Sequence, residues 1–492
     1  MNLRSSLSAG IGLLSALTPL SGVAAQDRER PNIVLILADD LGYGELGCYG
    51  QEKIRTPHID RMAREGMRFT QAYSGAPVCA PARCVLMTGV SSPYAEVRGN
   101  REVKPEGQHP LSPEIETMPM ALRAVGYATG AMGKWGLGPV GSTGDPNTKG
   151  FDLFFGYNCQ REAHTYFPGH LWRNDERVSL NEPKVPGHQK VQEAPAEFAT
   201  GGLETFRGDV YAPNLMREEA LRFLDAQVGG DSPFFLYLPF VEPHLAMQPK
   251  PELVESYPAE WDEEPYLGTR GYLPHPRPRA GYAAMITDLD AHVGAVLDHL
   301  QTLGLDENTL VIFTSDNGPT HDVGGVDTTF FASAGPLRGR KGSVYEGGLR
   351  VPMIARWPGR IEAGSETDRL VAFQDLWPTF AQISGCRVAE GCDGLGFSEA
   401  MLGEESPDEH EWLAWEFFGY GGQKAVRIGR FKGVMKQIRK GRTEIELYDL
   451  DADLGETTDI ASEHPEVVAR IRAIMTDQRR PEPDFPLPAF DG

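Results

Sequence analysis

The 492-residue chain carries 47 Lys and Arg against 69 Asp and Glu, a formal net charge of −22, with 40% hydrophobic and 24% charged residues. That balance excludes a disordered, collagen-like or membrane-spanning protein, which would need either too little apolar matter or long uncharged runs. It also excludes a general nucleic-acid surface, since phosphate neutralisation takes clustered Lys and Arg; an anionic ligand has to be held by a local cationic pocket.

Residues 1–25 open with Arg4, run apolar and small from Leu7 to Val23, and close on Val23-Ala24-Ala25. This predicts an export signal, too short to be a transmembrane span, and a periplasmic or extracellular mature protein. The six cysteines are sparse for an exported chain. Disulfides are therefore allowed but are not the main source of stability. Cys386 and Cys392, either side of a short loop containing Gly391, are the expected bridge.

Four apolar, β-branched runs stop abruptly at polar residues: Ile33 to Ala38 before Asp39-Asp40, Tyr127 to Met132 before Lys134, Phe234 to Phe240 before His244, and Leu310 to Ser315 before Asp316-Asn317. Such runs suit strands buried on both faces of a parallel sheet. Between them, Thr56-Pro57 starts a helix, and Pro213 to Ala226 and Tyr282 to Leu303 have helical spacing. The alternation predicts an α/β fold, a large central, mostly parallel sheet flanked by helices, with ligands gathering beyond the carboxyl ends of the strands. From about residue 409 the pattern becomes short antiparallel strands (Trp412 to Phe418, Lys424 to Ile428, Phe431 to Lys436, Glu444 to Leu447) and a final helix near Glu463 to Asp477. The expected organisation is thus a signal over 1–25, a catalytic α/β domain over 26–408 and a small α+β subdomain with an antiparallel sheet over 409–492. Pro- and Glu-rich stretches near 181–197 and 249–278 read as long surface insertions.

The acidic pairs Asp39-Asp40 and Asp316-Asn317 offer three carboxylates and one carboxamide at strand ends. Each alone is an ordinary cap or turn sequence; together they form a hard oxygen set suited to Ca²⁺, with Mg²⁺ the alternative. Cys79 precedes Pro81 and Arg83, which places it at a helix N-terminus, where negative charge is favoured. An isolated cysteine is otherwise a buried structural thiol.

Cys79-Ala80-Pro81-Ala82-Arg83, followed by Leu86-Met87-Thr88-Gly89, resembles the signature of type I sulfatases, in which that cysteine is oxidised enzymatically to formylglycine. Asn32 to Gly42, Thr56 to Asp60, Gly133-Lys134-Trp135, Thr314 to Gly318, Lys341 to Gly348 and Glu446 to Leu450 are similar to further blocks of the family. The resemblance implies an alkaline-phosphatase-like fold and a Ca²⁺ held by Asp39, Asp40, Asp316 and Asn317. It further implies a formylglycine hydrate at residue 79, one hydroxyl of which attacks sulfur while deprotonation of the other releases sulfate. Arg83 would position the diol, Lys134 and Lys341 would balance sulfuryl charge, and His244 would protonate the leaving alcohol. Many relatives carry Lys-Trp-His where this chain has Lys134-Trp135-Gly136. His164 and His321 are candidate replacements and, with Arg161, candidate contacts to substrate; each is equally readable as a surface loop residue. Arg338 and Arg340 beside Lys341 read as a solvated charge run.

These readings converge on an exported hydrolase of a sulfate ester on a carbohydrate, of galactose type. It would depend on a formylglycine-generating maturation enzyme. A phosphonate or phosphate ester hydrolase of the same superfamily, or a noncatalytic Ca²⁺-dependent glycan-binding relative, are the alternatives.

Overall fold

The computed structural model describes residues 30–200, 206–262, 264–405 and 408–491; the expected export signal lies outside them. Ten strands form one sheet, in the order Ser365–Thr367, Met67–Phe69, Met353–Arg356, Thr309–Ser315, Asn32–Ala38, Phe234–Pro239, Ala128–Lys134, Leu153–Tyr157, His170–Arg173, Glu176–Ser179. The central five run parallel, with Leu35 in register with Tyr237 on one side and Ile312 on the other. Antiparallel neighbours enter only towards the two edges. The sheet is thus mixed at its margins and parallel where the four sequence-predicted runs lie.

All seven residues of Asn32–Ala38 are buried. Val34, Ile36 and Ala38 join a core shared with helices Pro57–Arg64, Ala212–Asp225 and Pro278–Thr302. Ile33, Leu35 and Leu37 point to the opposite layer, built on helices Cys79–Thr88, Met118–Ala124 and Leu376–Ser384. The two-residue period of the pleat makes one apolar run serve two helical layers.

The C-terminal sheet is an antiparallel meander of Leu413–Phe417, Gln423–Ile428, Phe431–Lys436 and Glu446–Asp449, covered by helix Pro465–Asp477 through Ile471 and Met475. Buried ion pairs tie it to the loops of the large sheet, Arg98 to Glu416 at 2.6 Å and Lys432 to Glu346 at 2.7 Å.

The expected Cys386–Cys392 bridge is not formed, and both thiols are free. Cys386 is buried in the core around Trp377, whereas the Cys392 sulfur faces the Gln374 carbonyl 4.0 Å away and packs near Gly89. Nearness in sequence did not bring the two sulfurs together.

Candidate active site

Four parallel strands end at the same edge, and the polar residues that follow them meet there. The Asp316 N–H donates to the Ala38 carbonyl at 3.0 Å, and the Asp40 N–H, on a backbone turned to φ 67°, donates to Asp316 Oδ1 at 3.1 Å. This stitches both acidic pairs into one carboxylate cluster. Lys134, the last residue of its strand, donates to Asp39 Oδ2 at 2.5 Å. Arg83, buried on the Cys79 helix, donates to Asp316 Oδ2 at 2.9 Å and stands 3.5 Å from Asp39. Lys341 donates to Asp40 Oδ2 at 2.8 Å and to His244 Nε2 at 3.1 Å. Cys79, first residue of its helix, points its thiol at Asp39 Oδ1, 3.3 Å away, with Asp40 Oδ1 at 3.9 Å.

Three carboxylates and three cations therefore surround one thiol, all buried except Lys341, which is partly exposed. Burial alone would raise the Asp39 and Asp40 carboxyls, but Lys134 with His244 and Arg83 around the first, and Lys341 with His244 around the second, hold both below the usual range. Asp316 is pushed up to about 6 by burial and by the Asp39 charge. Burial, then Asp316 and Asp39, drives the Cys79 thiol well above its ordinary value, so as a plain cysteine it is a poor nucleophile. His244 is lowered to about 4 by burial and by Lys341, and its Nδ1 donates to the Leu245 carbonyl at 2.6 Å, leaving Nε2 as the acceptor. Asn317 donates its amide nitrogen to Asp40 Oδ1 at 2.8 Å and to the Gly318 carbonyl, while its buried Oδ1 has no partner. A carboxamide oxygen left bare beside three carboxylates fits a hard cation.

The candidate substrate contacts divide. The His164 ring stacks on His244, centroids 4.8 Å apart, and its Nδ1 lies 3.0 Å from His188 Nε2; His188 in turn stacks on Tyr272 at 4.6 Å. His188 and Tyr272 were not singled out in the sequence, although each lies in one of the two recognised insertions. The available signal was Gly187, where a Cβ would come within 2.0 Å of the His164 carbonyl. His321 reaches the mouth, its Nε2 3.2 Å from the Tyr420 hydroxyl. Arg161 is paired with Glu102 at 2.9 Å and stands outside the buried cluster. Arg340 pairs with Asp322, and Arg338 stacks on Tyr345 at 4.0 Å, so neither is a free cation beside Lys341. Gly136 has φ 83°, and a Cβ there would lie 2.5 Å from Gln160 Nε2. Gln160 thus takes the space a larger residue would need, and its Nε2, like both amide atoms of Asn158, is buried without a partner.

The fold and this polar edge define a hydrolase of the alkaline-phosphatase-like class, and the chain belongs to the sulfatase family: that family's profile matches residues 31–386. A second profile, described as N-sulphoglucosamine sulphohydrolase, C-terminal, matches 340–480. The protein is accordingly a sulfuric ester hydrolase. It is 33% identical over 438 residues to N-acetylgalactosamine-6-sulfatase of Canis lupus familiaris, covering 86% of this chain and 75% of that one. It is 29% identical over 508 residues to the N-acetylgalactosamine-6-O-sulfatase of Bacteroides thetaiotaomicron, covering 92% and 93%. The crystal structure of Ps i-CgsB with k-i-k-neocarrahexaose superposes with a TM-score of 0.75 at 27% identity over 94% of each chain. The phosphonate monoester hydrolase of Agrobacterium radiobacter, at 22% identity and TM-score 0.63 over 92% and 97%, shares the fold.

Proposed function

We propose that this sulfatase is exported and removes a sulfate ester from a galactose-type carbohydrate, using residue 79 as formylglycine and a Ca²⁺ held by Asp39, Asp40, Asp316 and Asn317. The observation that carries this reading is the Cys79 sulfur 3.3 Å from Asp39 Oδ1, inside a buried ring of carboxylates and cations. A thiol that resists ionisation there gains a usable nucleophile only by conversion to an aldehyde hydrate, which a maturation enzyme would supply. The bound cation would lower the pKa of the attacking hydroxyl and neutralise sulfate oxygens.

The chain's own residues account for the rest. Three carboxylates balance Arg83, Lys134 and Lys341 one for one, so a divalent ion leaves the pocket net positive and attractive to a sulfate in an otherwise acidic protein. Arg83, locked to Asp316, orients residue 79. Lys134 and Lys341 donate hydrogen bonds to the sulfuryl oxygens as their charge grows. His244, anchored through Nδ1, presents Nε2 to the leaving oxygen and hands it a proton, the incoming anion favouring the imidazolium. His164, His188 and Tyr272 wall the side on which the sugar enters, and Arg161 and His321 stand at its rim. The names of the relatives, two acting on N-acetylgalactosamine 6-sulfate and one bound to a neocarrahexaose, support a galactose-type glycan.

The test is a desulfation screen with protein coexpressed with a formylglycine-generating enzyme, conversion being verified by the mass of the peptide containing residue 79. Expected is sulfate release from galactose 6-sulfate, N-acetylgalactosamine 6-sulfate or oligosaccharides bearing them, and none from Cys79→Ala. Unchanged turnover by Cys79→Ala overturns the nucleophile. Converted enzyme that cleaves 4-nitrophenyl sulfate but no carbohydrate overturns the glycan assignment.

A further inference from the structure

The C-terminal sheet turns from Leu413–Phe417 into Gln423–Ile428 through Phe418-Gly419-Tyr420-Gly421-Gly422. Tyr420 has φ 51°, followed by φ 94° and 79° at the two glycines, so a bulky residue sits in the left-handed region that disfavours a side chain. It is also the most exposed large hydrophobic side chain among the described residues, at 59%. Strain that displays an aromatic ring to solvent points to a use for the ring.

The ring's place is defined. A Cβ on Gly342 would lie 2.0 Å from the Tyr420 ring, so the ring rests on the backbone next to Lys341, and its hydroxyl meets His321. From there a groove of about 380 Å³ runs along Phe417, Phe418 and Phe485 to Val78 and Asn100. Val78 directly precedes Cys79, and Asn100 Oδ1 accepts the Ala80 N–H at 3.0 Å. The groove thus adjoins the candidate site through Tyr420, which lines it and also meets His321 and Gly342, and through the start of the Cys79 helix. The groove's own charged lining is Arg101, paired with Asp484, and beside it the exposed Arg439 guanidinium lies over the Phe418 ring at 4.7 Å.

We infer that this groove is a second carbohydrate subsite, in which Tyr420 stacks on the pyranose ring adjoining the sulfated sugar and Arg439 faces an anionic substituent of that neighbour. A sugar ring presents an apolar C–H face and polar edges, and it matches an aromatic platform rimmed by a cation. An alkyl or aryl leaving group would have no use for the arginine. The inference rests on the glycan reading above and adds that the enzyme acts on chains in preference to single sugars.

The experiment compares kcat/KM for a chondroitin 6-sulfate tetrasaccharide and for N-acetylgalactosamine 6-sulfate, on the converted full-length enzyme and on Tyr420→Ala, Tyr420→Phe and Arg439→Gln. The wild type is expected to favour the tetrasaccharide, and Tyr420→Ala to lower that preference by about tenfold, the scale of one lost aromatic stacking contact. Tyr420→Phe, which keeps the ring and loses the bond to His321, should retain the preference. Arg439→Gln should reduce it, less so at high salt. Equal wild-type values for the two substrates, or a preference untouched by Tyr420→Ala, overturn the subsite while leaving the glycan reading standing. Turnover of neither glycan, nor of galactose 6-sulfate, with intact 4-nitrophenyl sulfate hydrolysis overturns both.

Discussion

The Lys341 ammonium donates to His244 Nε2 across 3.1 Å. An ammonium has no lone pair to offer, so this contact defines the resting histidine as the neutral tautomer with its proton on Nδ1, where the Leu245 carbonyl receives it. Lys341 also neutralises Asp40, at 2.8 Å. One side chain therefore sets the charge of a proposed metal ligand and the protonation of the proposed acid. Lys341→Met is expected to lower kcat on any sulfate ester by about 10²–10³-fold, the range for removing one preorganised donor. Steady-state kinetics on protein with an unchanged circular dichroism spectrum measure it; a rise in KM with kcat unchanged would show that Lys341 serves only binding.

The orphaned Asn317 oxygen makes a second expectation concrete. If Ca²⁺ completes the shell of Asp39, Asp40, Asp316 and Asn317, then adding it to chelator-treated protein should raise the melting temperature increasingly with concentration, the stabilisation reaching about 2.7 kcal/mol at a hundred times Kd. Asn317→Ala should weaken that response; because it also removes the amide's bonds to Asp40 and Gly318, the melting temperature without Ca²⁺ falls as well, and the quantity to compare is the Ca²⁺-induced shift of each protein. A calcium response of full size in Asn317→Ala would remove Asn317 from the ligand set.

Much of this candidate site was legible because parallel strands buried on both faces leave long apolar runs, and the polar residues at which those runs end gather at one edge of the sheet. Asp39, Lys134, His244 and Asp316 are each read from the end of one. The sheet margins were not legible, since strands such as Glu176–Ser179 are short, largely exposed and carry no apolar run. Nor was the wall of the pocket. His188 and Tyr272 meet His164 only because two insertions close on each other, and no periodicity links residues 84 positions apart. At Gly136 the departure from relatives was visible, but its cause, Gln160 filling the space, lies 24 residues on and depends on the fold of a loop.

Behind the site, His292 Nδ1 lies 3.0 Å from Glu242 Oε1, and Asp288 pairs with Lys250 at 2.6 Å, with Glu242, Asp288 and His292 all buried. Glu242 opens the turn to His244, and its carbonyl accepts the Asp39 N–H at 3.0 Å. Neither Glu242 carboxylate oxygen has a hydrogen bond, so the imidazole is its polar neighbour, and replacing that ring with an apolar side chain leaves the buried carboxylate against hydrocarbon. His292→Leu alone should cost about 3–5 kcal/mol, and the double variant Glu242→Leu/His292→Leu should recover most of that loss. Urea denaturation of the single and double variants decides it; additive losses would mean that the two residues are not coupled.

His410 offers a pH dependence away from the catalytic groups. Its Nε2 lies 2.8 Å from Asp375 Oδ1, and although burial pushes the imidazole pKa down, the hydrogen bond and charge of Asp375 outweigh it and raise the value. A histidine whose folded pKa exceeds its unfolded value stabilises the fold fully below the unfolded pKa, near 6.5, and the benefit fades as pH climbs through the folded value. The difference in melting temperature between wild type and His410→Gln should therefore be largest near pH 6 and shrink towards pH 9. The pair joins the start of helix Leu376–Ser384 to the segment that enters the C-terminal sheet, so loss of the charge loosens that junction first. Amide exchange in residues 408–417 should rise with pH beyond its intrinsic acceleration in the wild type and show no such excess in His410→Gln. A gap between the two proteins that stays constant from pH 6 to 9 would show that His410 contributes by packing and not by its charge.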